Sequence, residues 1–306
     1  MNSSVIIENI SKSYGSVLAL DNLSLEIEKG EVFGFIGPDG AGKTTLFRIL
    51  TTLLLPGKGR AVVEGFDVVK NFKDIRLISG YMPGRFSLYQ DLSVEENLNF
   101  FASVFGTTIH ANYNLIKDIY VLLEPFKKRK AGKLSGGMKQ KLALCCALIH
   151  KPKILFLDEP TTGVDPVSRN EFWDMLANLK NEGITILVST PYMDEASRCS
   201  RIALMQNGKI MEADSLSGIL SRFSQKLFSV NGSSMYSLLT GLRAYEFAGT
   251  VFSFGESLHY TDKRTDASIS DIQDYLKDSG HSDAEVKVIE PTIEDRFMEL
   301  MSFKNE

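Results

Sequence analysis

Hydrophobic and polar positions alternate along the first part of the chain. From Val5 to about residue 80, the period-two alternation typical of strands dominates in SVIIENISKSY, LALDNLSLEI and GEVFGFIG. A helical pattern is found at GKTTLFRILTTLLL, and strands return in GRAVVEGFDV. This part of the chain is therefore predicted to be rich in strands, with a helix between them.

The spacing of apolar residues changes in the middle of the chain. Residues 94–130 place apolar residues three and four positions apart, as in VEENLNFFASVF and YNLIKDIYVLLEPF, which predicts a mainly helical segment. From 135 to 215, helical patterns alternate with the short apolar runs KILFLDE, ITILVST and RIALMQNGKI. This alternation predicts a mainly parallel, buried sheet with helices packed on it, and hence an α/β fold.

The last part of the chain has a different order of elements. A β-α-β-β-α-β order is indicated by KLFSVNG, MYSLLTGLRAY, GTVFSFG, SLHYTDKR, SISDIQDYLKDSG and EVKVIE. We expect a small α+β domain of ferredoxin-like type over residues 222–290, closed by a helix at TIEDRFMELM. The expected division is one domain over residues 3–220 and an accessory domain over 221–306.

Composition and charge narrow the class of protein. The net charge of −4 gives no reason to expect a nucleic-acid partner, and the basic run KKRKAGK at 127–133 is interpreted as a solvated helix end. Cys145, Cys146 and Cys199 lack metal-ligand spacing, so we expect reduced thiols in a cytosolic protein. The sequence shows no signal-peptide pattern and no run near the roughly 18–20 apolar residues that cross a bilayer. A membrane role is therefore expected to come through a partner.

The segment FGFIGPDGAGKTTLFRIL contains the most specific motif. It fits the pattern G-x-x-x-x-G-K-[ST], after an apolar strand and before a helix, which is the setting of a phosphate-binding loop. Backbone N–H groups and the helix N-terminus would surround the phosphates, while Lys43 supplies a positive charge and Thr44 a hydroxyl for Mg²⁺. We call residues 37–45 the cradle; its candidate binding residues are Gly37, Asp39, Gly40, Ala41, Gly42, Lys43, Thr44 and Thr45.

A pair of carboxylates follows the buried strand in KILFLDEP. Asp158 ends the strand and is expected to hold Mg²⁺ through water, while Thr44 binds the ion directly. Glu159, one residue later, is the candidate catalytic residue, because its carboxylate can orient and deprotonate an attacking water. Together with the cradle, the pair predicts hydrolysis of a nucleoside triphosphate.

A second helix start with bare glycines occurs in KLSGGMKQKLALCCALIH. Ser135 stands where an N-cap belongs, and Gly136 and Gly137 leave the backbone accessible to a phosphate. Because the chain already has one cradle, we expect this second helix end to contact the nucleotide bound to another subunit. We call residues 134–137 the signature segment; it consists of Leu134, Ser135, Gly136 and Gly137.

LSGG about twenty residues before the Asp158 strand is the hallmark of the ATP-binding cassette (ABC) ATPases, and residues 3 to about 220 resemble that family. The resemblance implies a P-loop NTPase with a RecA-like core, an antiparallel β-subdomain and a helical subdomain at about 84–140. It also implies that Tyr14 stacks on the adenine of ATP and that Asp165, in TTGVDP, lies in a loop crossing a dimer interface.

The same resemblance implies partners. The segment GYMPGRFSLYQDLSVEENL matches the part of the family that contacts a membrane subunit, and the tail is similar to that of multidrug or ABC-2-type exporters. We therefore expect ATP and Mg²⁺ as ligands, a second cassette and an integral membrane permease as partners, and a cytoplasmic location on the inner face of the membrane.

Two positions depart from the family pattern. Pro191 stands where the family has a histidine that positions the attacking water, and Gly84 stands where it has a glutamine that helps to coordinate Mg²⁺. Asp39 replaces the usual asparagine. Because losing one such donor lowers a rate by about 10²–10³, we hypothesise slow hydrolysis at this cradle and pairing with a different, intact cassette. The alternative is an ordinary homodimer in which water or a neighbouring side chain replaces the lost contacts.

Two other classes of function would share part of this set of motifs. A non-transport cassette protein, in which ATP merely switches a binding module, would share the motifs; its ribosomal and DNA-repair forms carry a second cassette with a basic linker, or zinc-site cysteines, and this sequence has neither. A GTPase or kinase would share the cradle, but it would leave LSGG unexplained, and the sequence has no N-K-x-D motif.

Overall fold

A computed structural model describes residues 3–302. The chain divides into two compact units, Met1–Leu216 and Ser217–Glu306. Among the described residues, no helix combines the length and the apolar character that a membrane span requires. Cys145 and Cys146 are buried and Cys199 is half-buried, all as free thiols.

The strands and helices of the first unit follow the order that the apolar pattern predicts, except that a helix also forms at Phe72–Ile78, in a stretch predicted to be strand-rich. Its strands are β1 (Ser3–Tyr14), β2 (Val17–Glu28), β3 (Val32–Ile36), β4 (Lys58–Val63), β5 (Phe66–Asp67), β6 (Ser79–Met82), β7 (Ile154–Asp158), β8 (Thr185–Thr190), β9 (Arg201–Gln206) and β10 (Lys209–Asp214). Its helices are α1 (Lys43–Leu50), α2 (Phe72–Ile78), α3 (Val94–Val104), α4 (Tyr113–Tyr120), α5 (Gly136–Leu148) and α6 (Pro166–Asn181). A short helix, α7 (Leu216–Leu220), spans the point of division.

The strands of this unit form two sheets. One is antiparallel, in the order β2-β1-β4-β5. The other has the order β10-β9-β3-β8-β7-β6 and is parallel except for the β9–β10 pair. All residues of β3, β7 and β8 are buried, as expected for parallel strands covered on both faces. The carboxyl ends of these three neighbouring strands therefore meet at one edge of the sheet.

Aromatic packing fixes α1 against this sheet. The Phe47 ring makes edge-to-face contacts with Phe35 of β3 and Phe156 of β7, with ring centroids 5.7 and 5.9 Å apart. Such contacts contribute about 0.5–1.5 kcal/mol beyond area burial. The start of α1 is thereby held above the carboxyl ends of β3 and β7.

Two predicted helices end earlier than their apolar pattern suggests. The helix predicted through GKTTLFRILTTLLL ends at Leu50, because Thr52 adopts a left-handed φ of 63°, and Leu53 N and Leu54 N both donate to Arg48 O and no longer continue the regular helical hydrogen bonds. The helix predicted through YNLIKDIYVLLEPF ends at Tyr120, and a 3₁₀ turn at Glu124–Phe126 follows. Pro125 lacks an N–H group, so an α-helix cannot continue regularly through it.

The second unit contains β11 (Leu227–Asn231), α8 (Met235–Ala244), β12 (Ala248–Phe254), β13 (Ser257–Asp262), α9 (Ile269–Asp278), β14 (Glu285–Ile289) and α10 (Ile293–Ser302). Its antiparallel sheet has the order β12-β13-β11-β14. The elements thus follow the β-α-β-β-α-β order that the sequence pattern indicates, and α10 matches the predicted closing helix to within one residue at each end. This unit has a separate hydrophobic core around Phe228 and Tyr260.

Candidate nucleotide-binding site

The cradle connects β3 to α1, and two glycines make its backbone path possible. Gly42 has φ 102°, and a Cβ there would lie 2.6 Å from the carbonyl oxygen of Ala19. A Cβ on Gly37 would overlap the carbonyl oxygen of Met205. A side chain at either position is thus excluded by backbone atoms, so the glycines of the motif are required by the fold itself.

Lys43 is the basic side chain of the cradle. Its side chain is 3% exposed, and Nζ donates to the carbonyl oxygens of Gly37 (2.6 Å) and Pro38 (3.0 Å). Burial lowers the pKa of Lys43, while the nearby carboxylate of Glu159, with Oε1 4.0 Å from Nζ, acts in the opposite direction. The ammonium group is held over the loop, where a phosphate would provide the counter-charge that the carbonyls supply only in part.

Thr44 and the end of β7 form a pair of oxygen ligands. Thr44 Oγ1 donates to Asp158 Oδ1 at 3.1 Å, and Ser189 Oγ, from β8, donates to the same oxygen. A hard divalent cation such as Mg²⁺ prefers hydroxyl and carboxylate oxygens, so this donor set fits the predicted ion. Ser189 is not among the residues singled out from the sequence. The signal that could have identified it is its position as a polar residue at the end of a buried strand.

Glu159 has a strained backbone. Its φ is 51°, in the left-handed region that residues other than glycine rarely adopt. Its N–H group donates to Ser189 O (2.9 Å) and Ser189 Oγ (3.2 Å), while Oε2 accepts from Thr162 Oγ1 at 3.4 Å. Strained residues cluster at functional sites, because the surrounding structure must hold them in place. The carboxylate that can serve as a base is thus fixed beside Lys43.

Gly84 and Pro191, the two positions that the family resemblance singles out, lie next to these groups. Pro191 directly follows β8, and the carbonyl oxygen of the preceding Thr190 accepts from Gly37 N at 3.3 Å. A Cβ on Gly84 would lie 3.1 Å from Asp158 O and 3.6 Å from Glu159 Cβ. The two positions therefore border the cradle and the carboxylate pair, and neither has a side chain that could contact a phosphate or its ion.

The signature segment forms the N-terminus of α5. Ser135 is the N-cap, its Oγ accepting from Met138 N at 3.4 Å, and Ser135 and Gly136 are exposed whereas Leu134 is buried. Within residues 3–302, no hydrogen bond joins this segment to the cradle. The two helix ends with phosphate-binding geometry are therefore separate surfaces of one chain.

Tyr14 and Asp165 also lie at the surface. Tyr14 ends β1 and is 45% exposed, so its ring is available for stacking. Asp165 is exposed and caps α6, with Oδ1 accepting from Ser168 N at 3.0 Å, a hydrogen bond that lowers the pKa of the carboxylate. Both side chains are free to meet a ligand or another molecule.

A phosphate-binding loop between a buried strand and a helix, with carboxylates at the end of a neighbouring strand, defines the first unit as a P-loop nucleotide-binding domain. The sequence model described as "ABC transporter" matches residues 20–162. The chain belongs to the ABC transporter family. The family resemblance and the fold class predicted for the first unit are thereby confirmed; the ferredoxin-like type of the second unit stays a prediction.

Similar proteins carry names from drug resistance and export. The probable multidrug ABC transporter ATP-binding protein YbhF of Escherichia coli is 49% identical over 195 residues, which cover 63% of this chain and 34% of that protein. The Nod factor export ATP-binding protein I of Burkholderia pseudomallei is 40% identical over 205 residues, covering 66% of this chain and 67% of that protein. The match therefore spans only about a third of the length of the Escherichia coli protein.

Solved structures extend the comparison to the fold. The dimeric structure of the ATP-binding cassette MJ0796 in a post-hydrolysis state, bound to ADP and Pi, is 25% identical to this chain. It superposes with a TM-score of 0.63 and covers 69% of this chain and 98% of that one.

Proposed function

We propose that this chain is the ATP-binding and ATP-hydrolysing subunit of a membrane exporter of the multidrug or ABC-2 type. The observation that carries the proposal is the contact between Thr44 of the cradle and Asp158 of β7, with Glu159 next in sequence. A phosphate-binding loop, a site for a divalent cation and a candidate base then share one edge of the sheet.

Each side chain of the site has its own role in the proposed reaction. Backbone N–H groups of the cradle and the Lys43 ammonium bind the phosphates, and the exposed Tyr14 ring stacks on adenine. Thr44 and Asp158 hold Mg²⁺, which neutralises phosphate charge when it is bound. Glu159 accepts a proton from the attacking water, since its carboxylate is kept beside the cradle by the hydrogen bonds of its own backbone.

The signature segment acts on a different molecule. Ser135 and Gly136 are exposed and unconnected to this chain's cradle, so a nucleotide held by a second cassette is their expected ligand. Two cassettes would enclose ATP between the cradle of one and the signature segment of the other. The dimeric form of the similar cassette MJ0796 supports this arrangement.

We further propose that the partner is a different cassette. Gly84 and Pro191 leave this chain's own site without two polar side chains, while the signature segment is complete and can serve an intact partner site. This chain would then hold ATP with little turnover, and the partner would hydrolyse it. A permease in the cell membrane would bind the pair on its cytoplasmic side, as the names of the similar export proteins suggest. The unit from residue 217 would be an accessory domain.

The test is the rate of ATP hydrolysis by the purified chain, alone and mixed with candidate cassettes. The proposal predicts slow hydrolysis by the chain alone and faster hydrolysis by one mixture, with Glu159→Gln in this chain having little effect on the mixture. Fast hydrolysis by the isolated chain that is abolished by Glu159→Gln would contradict the unequal-partner proposal and favour the homodimer.

A further inference from the structure

The loop that joins β7 to α6 carries two groups with different proposed roles. Glu159 stands at its start, beside Lys43 of this chain's own cradle, and Asp165 stands at its end and is exposed at the surface. We call residues 159–165 the connecting loop. Its middle is exposed at Thr162 and Gly163, so its position depends on how its two ends are held.

A single buried carboxylate oxygen joins this loop to the helix that follows it. Glu195 is 2% exposed, and its Oε1 accepts from Thr161 Oγ1 at 2.8 Å and from Arg169 Nη2 at 3.2 Å. Thr161 lies two residues after Glu159 and is itself 1% exposed. Arg169 lies in the first turn of α6, where its N–H group donates to Asp165 O at 2.9 Å.

Arg169 also connects the loop to the segment that follows Pro191. Its guanidinium donates to both carboxylate oxygens of Asp194, at 3.0 and 3.3 Å, and lies over the Tyr192 ring, 4.4 Å from its centroid. Tyr192 N in turn donates to Thr190 Oγ1 at 3.1 Å. Tyr192 contacts Arg169 directly, and Thr190 is connected to it through this hydrogen bond. The residues on both sides of Pro191 are therefore linked to Arg169.

The attachment of Glu195 leaves room for movement. Within residues 3–302, Oε2 of Glu195 has no hydrogen-bond partner, so the bonds to Thr161 and to Arg169 both depend on Oε1. Glu195 also borders a cavity of about 150 Å³ that Arg169 and Trp173 help to line. Loss of either bond would leave the carboxylate held from one side only, with space beside it.

We propose that Glu195 is a positioning residue that couples the nucleotide site of this chain to the dimer contact. It holds Thr161 and the start of α6 at a fixed separation, so that a shift of Glu159 on nucleotide binding is passed to Asp165. The proposal rests on the proposed ATP-dependent pairing of cassettes. It explains why the segment after Pro191 is anchored to α6 although it lacks a side chain for the phosphate.

The full chain tests this with substitutions that preserve shape. Thr161→Val removes the hydroxyl donor, Glu195→Gln removes the charge, and Thr161→Ser keeps the hydroxyl. Asp174→Asn is the matched control, because it breaks another ion pair of α6, between Asp174 and Arg198, away from the loop. Two quantities are measured: amide hydrogen exchange without nucleotide, and the dissociation constant for MgATP-dependent association of chains, with MgATP affinity determined separately.

We expect Thr161→Val and Glu195→Gln to speed exchange of residues 161–168 by about 3- to 30-fold and to weaken association by a similar factor. MgATP affinity and exchange of residues 37–45 should stay at wild-type values, as should all properties of Thr161→Ser and Asp174→Asn. Unchanged exchange of residues 161–168, or faster exchange throughout the first unit, would overturn the positioning role. Association of the Thr161→Val chains as tight as that of wild type would also overturn the positioning role.

Different results would contradict the proposed pairing of cassettes and the proposed positioning role of Glu195. If wild-type chains bind MgATP but associate neither with each other nor with a candidate cassette, the proposed pairing is wrong and the coupling role falls with it. The exchange data would then still decide whether Glu195 holds the connecting loop.

Discussion

Thr44 donates its hydroxyl to the carboxylate of Asp158, with 3.1 Å between Oγ1 and Oδ1, although 114 positions separate the two residues in sequence. The parallel order β3-β8-β7 explains the contact, because it brings the loop after β3 and the end of β7 to the same edge of the sheet. The polar end of β8 lies between them, and Ser189 donates to the same carboxylate oxygen. The functional assignment depends on this meeting of three strand ends.

Lys43→Met should abolish stabilisation by nucleotide. A ligand at 100 times its dissociation constant raises the free energy of unfolding by about 2.7 kcal/mol, and the Lys43 ammonium is the principal positive side chain of the cradle. Thermal unfolding with and without MgATP measures the effect. Substitution of the exposed Lys58 by Met is the control and should leave the stabilisation intact. Equal stabilisation of Lys43→Met and wild type would exclude the cradle as the nucleotide site.

Without nucleotide, the free energy of unfolding should carry a pH signature of Lys43. Burial lowers its pKa below the ordinary 10.5, so between the two values the unfolded chain holds a proton that the folded chain has released. Stability therefore rises with pH in this window, and the destabilisation by Lys43 is greatest below its folded pKa. Denaturant unfolding from pH 7 to about 10.5 should show the stability of Lys43→Met relative to wild type falling as pH rises. A constant difference would contradict this.

Restoring the missing polar groups should raise the rate of hydrolysis. Pro191→His supplies a donor next to the β8 end that contacts the cradle, and one such donor changes a rate by about 10²–10³. Gly84→Gln adds a second polar group, although its Cβ must fit 3.1 Å from Asp158 O. Steady-state ATPase assays of Pro191→His and of the double variant should give higher kcat than wild type. Pro191→Ala is the control; an increase of the same size in that variant would mean that removal of the proline ring matters and not the imidazole.

Ser135→Arg should leave MgATP binding by this chain intact but prevent its pairing with a second cassette. Ser135 caps α5 and makes no hydrogen bond to the cradle, so titration with MgATP should give wild-type affinity. The bulky charge at the exposed helix end should nevertheless prevent a second cassette from closing over its nucleotide, and ATP hydrolysis in the mixture should be lost. Reduced MgATP affinity of the isolated Ser135→Arg chain would mean that the signature segment acts on its own cradle.

The sequence was sufficient to predict the parts of the site that are local. The cradle is a continuous motif, and Asp158 and Glu159 follow a run of apolar residues that can only be a buried strand in this context. The network of Thr161, Arg169 and Glu195 could not be predicted in this way. Its members lie in three different segments, and the acidic side chain of Glu195 gives no sign in the sequence that it is buried.

The apolar pattern also does not predict where two of the helices end. The pattern continues past Leu50 and Tyr120, but the helices stop there, because the left-handed backbone of Thr52 and the missing N–H group of Pro125 interrupt the regular backbone hydrogen bonds. Local chemistry of this kind decides boundaries, whereas the spacing of apolar residues decides which elements form.

Sedimentation velocity of the Glu159→Gln chain, with and without MgATP, is the most direct test of the central claim. This variant retains the cradle and the signature segment and removes any residual hydrolysis by Glu159 at this chain's own site, so the ATP stays bound there and a closed pair should persist. The account predicts a monomer without nucleotide and a dimer with MgATP, formed with itself or with an intact cassette, and no dimer when Ser135→Arg is added to both chains. Saturation with MgATP and no change in sedimentation in any mixture would contradict it.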